Sequence, residues 1–128
     1  MTPQFTRIIP TLRIFDVTKA KEFYLGYLGF KLDLEHRFEP ERPLFMKISL
    51  GDIVLHLSEH HGDCSPGAKI VIETTGLAAY HAELAAKNYN YARQGLVDTP
   101  WGTTTLTVAD PFYNHLQFSE RRSEVASA

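Results

Sequence analysis

VTKAKEFYLGYLGF, Val17–Phe30, is the stretch from which the fold of this chain can be worked out. Ala20, Phe23, Tyr24, Tyr27 and Leu28 recur at helical intervals and place one apolar stripe on a helix over Val17–Leu28. Asp16 or Thr18 is positioned to cap that helix, a side-chain oxygen accepting from an otherwise unpaired amide. Gly29 is the residue best able to take the left-handed conformation that ends it. Upstream, Ile8, Leu12 and Ile14 alternate as a strand does. Downstream, Lys31–Phe38 alternates, and Leu44–Leu50 and Ile53–Ser58 flank Gly51-Asp52, a tight hairpin turn. The charged loop Glu39–Pro43, with two prolines, separates the first of these strands from the second.

The same order then repeats. Ile70 and Ile72 mark a strand, Thr74-Thr75-Gly76 opens a helix over Leu77–Lys87, and Leu77, Tyr80, His81, Leu84 and Ala85 form its stripe. Asn88 stands where Gly29 stood, since Asn also tolerates left-handed geometry. Strands are predicted over Tyr91–Leu96, Thr103–Val108 and His115–Ser119, with Asp110-Pro111 at the last turn. The copies span about residues 8–58 and 68–119, joined by the Gly-, Ser- and Pro-containing linker His60–Gly67. The polar tail, residues 121–128, is expected to be disordered. Neither copy buries both its sheet and its helix stripe alone, so the halves are expected to pair, within one chain or by exchange between two. A duplicated half with an interior face between the copies is one way to build a ligand cup.

The bulk properties bound the function. At 128 residues the chain suits one compact α+β domain over residues 1–128. A formal charge of −2 and a pI near 6.3 give no electrostatic footprint for nucleic acid. No apolar run approaches ~18 residues, so no membrane span is expected. The single cysteine, Cys64, leaves no intrachain disulfide and suits a reducing cytoplasm.

Two runs carry a family likeness. Asp16-x-x-x-x-x-x-Phe23-Tyr24-x-x-x-Leu28-Gly29-Phe30 resembles the helix-to-strand signature of the glyoxalase/bleomycin-resistance/extradiol-dioxygenase superfamily, the vicinal oxygen chelate fold. Asp110-Pro111-x-x-Asn114-x-x-x-Phe118 resembles the same family's final hairpin, D-P-x-G-N, with Tyr113 where Gly is usual. The resemblance covers Ile8 to Glu120 and implies two βαβββ modules forming a curved mixed sheet around a cavity, paired in a homodimer. Metal enzymes of the superfamily place His, Gln or Glu on the first and last strands of each module. Aligned on the two motifs, those places fall at Ile9-Pro10, His56, Ala68-Lys69 and Gln117. Two of the four offer a donor, so any metal would rest on His56 and Gln117 alone. The resemblance therefore implies the bleomycin-resistance branch, whose members bind a drug without transforming it, and no cofactor.

Within that reading, Thr99-Pro100-Trp101-Gly102 resembles a segment that sets a tryptophan at the binding groove, where an indole can stack a planar ligand. The expected ligand-binding residues are His56, Gln117, Trp101, Phe38, His36, Met46 and Ser58, around a small molecule such as a bleomycin-like drug. Met46 and Ser58 enter because they lie on the same strands, on a face that alternation alone does not fix. The acidic stretch Asp33–Glu41 reads either as a solvated edge or as an attraction for a cationic ligand. His60-His61-x-x-Cys64 lacks the ligand pairs of a zinc site and is not assigned one. A metal-dependent lyase, thioltransferase or dioxygenase of the same superfamily, and a metabolite-sensing module, are the alternative functions.

Overall fold

A computed structural model describes residues 2–89 and 95–122. Strand β1 (Thr11–Arg13) leads through helix α1 (Val17–Lys21), which continues as a π-helical segment over Glu22–Tyr27. Strands β2 (Lys31–His36), β3 (Phe45–Leu50) and β4 (Ile53–Ser58) follow. The order then repeats as β5 (Lys69–Glu73), helix α2 (Leu77–Ala86), β6 (Val97–Asp98), β7 (Thr103–Ala109) and β8 (His115–Arg121). Each repeat builds one four-stranded mixed sheet, ordered β1-β4-β3-β2 and β5-β8-β7-β6, with the first strand parallel to the last and the other pairs antiparallel. The fold is thus α+β, as expected. No described helix is long and apolar enough to cross a membrane.

Local chemistry explains the boundaries. Asp16 caps α1, its carboxylate accepting from Lys19 N at 2.9 Å. Gly29 and Asn88 both take left-handed φ, 89° and 56°, just beyond the two helices. Gly51 takes φ 58° at the first central position of the β3–β4 hairpin. Two elements depart from expectation. The first strand starts at Thr11 because Pro10 has no N–H to give; its carbonyl accepts from His56 N, and Ile8 beyond it is 91% exposed. The first helix widens after Lys21, Leu28 N reaching back to Phe23 O. The strand expected over Tyr91–Leu96 falls largely outside the described residues, and β6 begins at Val97. Of the expected tail, Arg121 ends β8 and Arg122 donates to Thr99 O and Thr103 O, pinning the β6–β7 turn; residues 123–128 lie outside the described residues.

One core joins the repeats. Leu12, Met46, Ile48, Leu55 and Leu57 of the first sheet and Ile72, Leu106, Val108, Leu116 and Phe118 of the second turn toward the helices. They merge there with Phe23, Tyr24, Tyr27, Leu77 and Leu84. The Asp110–Asn114 turn locks the repeats together. Asp110 Oδ1 accepts from Phe112 N and Asn114 N, and Oδ2 accepts from Asn114 Nδ2 and, at 2.7 Å, from Tyr24 Oη. Asn114 donates to Arg13 O on β1 and accepts from Ala68 N ahead of β5. Every one of these groups would be costly to bury unpaired.

Candidate functional site

With the helices on one side of each sheet, the other side is open, and the ladder registers decide which residues line it. On the first sheet, Thr11, His56, Lys47 and Leu34 form one cross-strand row, and Arg13, Ser58, Phe45 and His36 the next. The bulge between Leu32 and Leu34 also brings Lys31 to this face, opposite Ser49. Met46 and Ile48 project the opposite way, into the core.

Aromatic rings gather at one end of this face. Phe45 meets His56 edge-on with centroids 4.8 Å apart, and Phe38 meets His36 in the same way at 4.8 Å. His60, from the loop after β4, lies 6.3 Å from Phe38. His36, Phe38, Phe45, His60 and Asp63 line a cavity of about 320 Å³. Burial, with Lys47 and Arg7 nearby, holds the His56 imidazole below its usual pKa.

The expected site residues therefore separate. His36, Phe38 and His56 share the open face of the first sheet. Ser58 lies on the same face but is fully buried: its hydroxyl donates to Asp63 at 2.6 Å and accepts from His60 N. Met46, 1% exposed on the core side, is not on the open face at all. The residue that is there instead is its neighbour Phe45, on the same side of β3 as Lys47 and Ser49. Gln117 is on the open face of the second sheet, donating to Thr107 Oγ1 at 3.2 Å. Trp101, 76% exposed in the β6–β7 turn, edges a cleft of about 590 Å³ with Glu73, Thr103 and Arg121. The cavities touching Phe38 and Trp101 thus each draw on one repeat.

The registers also test the metal places. The neighbour of His56 on β1 is Thr11, and the neighbour of Gln117 on β5 is Val71. The expected first-strand places, Ile9-Pro10 and Ala68-Lys69, are displaced from these partners by one to three positions. Thr11, His56, Val71 and Gln117 do not make a donor set for a divalent ion. Among the described residues no group of three or more His, Cys, Asp or Glu side chains is placed to hold a metal. Nor is Cys64 a poised nucleophile, because burial and Asp63 push its thiol pKa up.

The amino-acid sequence matches the family model of the glyoxalase superfamily over residues 2–124. The chain belongs to the glyoxalase superfamily. Among solved structures it resembles the bleomycin-binding protein of bleomycin-producing Streptomyces verticillus complexed with copper(II)-bleomycin. That likeness is 28% identical with a TM-score of 0.70, over 91% of this chain and 97% of the other. A glyoxalase/bleomycin resistance protein from Streptomyces sp. CB03234 is 24% identical with a TM-score of 0.68, over 86% of this chain and 96% of that one. TnmS3, an antibiotic binding protein from the same strain, shares the fold at 18% identity with a TM-score of 0.70, over 94% and 99% of the two chains. No curated protein matches the chain.

Proposed function

We propose that this superfamily member is a small-molecule binding protein that sequesters a planar aromatic ligand without transforming it, and does so without a metal. The carrying observation is the set of rings on the open face of the first sheet, His56, Phe45, His36, Phe38 and His60, beside a cavity of small-molecule dimensions. The copper(II)-bleomycin complex of the Streptomyces verticillus relative supports a resistance-type role. Phe38 and Trp101, both largely exposed, sit on different repeats, and this supports a homodimer in which an open face of one copy opposes an open face of the other; the single cysteine suits a cytoplasmic setting.

The test is calorimetric titration, with and without a chelator, of a panel of planar antibiotics including copper(II)-bleomycin and metal-free bleomycin. Saturable binding of at least one member, unchanged by chelation and with the compound recovered intact, is the expected result. One tightly held divalent ion per chain, lost in His56→Ala, would favour the metal-enzyme alternative. Light scattering should give twice the chain mass of 14.5 kDa.

A further inference from the structure

The open face of the first sheet is chemically one-sided. Its ladder positions carry three fixed cations, Arg13, Lys31 and Lys47, together with His36 and His56, and no Asp or Glu. The whole chain is formally −2, so a face whose ladder positions carry three cations and no acid departs from the charge of the chain. Four nearby acids, Glu35, Glu39, Glu59 and Asp63, are engaged by other groups. Glu35 projects to the helix side and pairs with Lys21 at 2.6 Å, Glu39 pairs with Arg42, and Glu59 accepts from Leu44 N beside Arg37. Asp33 is the extra residue of the bulge and holds no ladder position. Asp63, which lines the cavity, accepts from Ser58.

The cations lack such partners. Among the described residues Lys31, Lys47, Arg13 and Arg7 form no ion pair; Arg13 Nε donates to Ile14 O at 3.4 Å, and its guanidinium lies 4.5 Å from the centre of the Phe15 ring. Lys47 and Arg13 stand one row and two strands apart across His56 and Ser58, about 11–12 Å between backbones by sheet geometry, so both side chains can reach toward one group above His56. The second sheet does not offset this charge, since its open face sets Lys69 and Arg121 against Glu73 alone at ladder positions.

We infer that the ligand of this protein carries a negatively charged group, a carboxylate or sulfonate on its planar body, which Lys47 and Arg13 take up while the rings of Phe45 and Phe38 hold the body. The inference rests on the binding reading above and deepens it, and it reverses the cationic-ligand reading of the stretch Asp33–Glu41. Charge-assisted contacts supply the preference, and the apolar rings supply the charge-independent part of the affinity.

Three fluorescent probes of similar size separate the possibilities on the full-length protein: anilinonaphthalenesulfonate (anionic), phenylnaphthylamine (the same body without the sulfonate) and proflavine (cationic). The sulfonate is expected to bind at least about tenfold more tightly than the uncharged dye. Lys47→Gln and Arg13→Gln should each weaken it about threefold to fivefold, and together about tenfold, leaving the uncharged dye unaffected. Lys19→Gln, on the exposed side of α1, should change neither, and melting curves of each variant check folding. Equal affinity for the two naphthalene dyes, tighter binding of proflavine, or sulfonate binding indifferent to both substitutions would overturn the inference while the binding reading stands. Failure of all three probes to bind would remove both.

Discussion

Tyr113 holds φ at 70° in the turn between β7 and β8, a left-handed conformation that costs an L-residue about 1–2 kcal/mol. Its side chain is 78% exposed, so little packing offsets the strain. Tyr113→Gly is therefore expected to stabilise the protein by about 0.5–1 kcal/mol after the added chain entropy of glycine, measured by urea denaturation. His56 makes a second prediction at this scale. Its imidazole should titrate below the ordinary histidine value in NMR, through burial first and then through Lys47 and Arg7. Lys47→Gln should move that titration upward. Because the folded pKa is depressed, the stability tied to neutral His56 is present at pH 8 and is lost as pH falls below the unfolded value of 6.5.

The π-helical segment Glu22–Tyr27 is the most telling element. Widening the turn keeps Phe23, Tyr24, Tyr27 and Leu28 all buried, and its terminal carbonyls find partners on the second repeat. Lys87 Nζ donates to Tyr27 O at 2.7 Å and to Gly26 O at 3.2 Å, and Tyr80 Oη donates to Leu28 O at 2.6 Å. These bonds replace the intrahelical ones that a helix end lacks. Lys87→Met should accordingly cost about 0.5–1.5 kcal/mol and raise amide exchange at the end of this segment more than in α2. Tyr80→Phe is expected to act in the same direction, since it removes the bond to Leu28 O while keeping the ring against Phe118.

At the scale of the whole molecule, the lock at Asp110 and Asn114 ties β1, the first helix and the approach to β5 to a single turn. Asn114→Ala removes bonds to both repeats and should cost about 3 kcal/mol or more, read from the denaturant midpoint. Burial, with Asp110 alongside, raises the Tyr24 pKa well above 10.0. A raised folded pKa means that this stability is intact below the unfolded value of 10.0 and is lost as pH climbs beyond it. The midpoint should thus decline as pH rises beyond 10.0, and Tyr24→Phe, less stable at neutral pH, should show a shallower alkaline decline.

The order of elements was legible in the chain because its signals are local. The stripe from Ala20 to Leu28, the Gly51-Asp52 turn, Gly29 and Asn88 each act within a few residues of themselves. The π widening left no such trace, since it answers to Lys87 and Tyr80, 60 and 52 residues away. The face of each strand was equally silent. A period-two pattern has two sides, and Met46 and Phe45 satisfy it equally well until α1 and α2 dock against one of them. By itself, then, the sequence determined two strand–helix–strand repeats, their turns and the helix stripes that form the core. Tertiary packing alone decided that Met46 is buried and Phe45 open, and that Arg13, Lys31 and Lys47 share one face, because docking of the helices selects the side of a sheet that stays open.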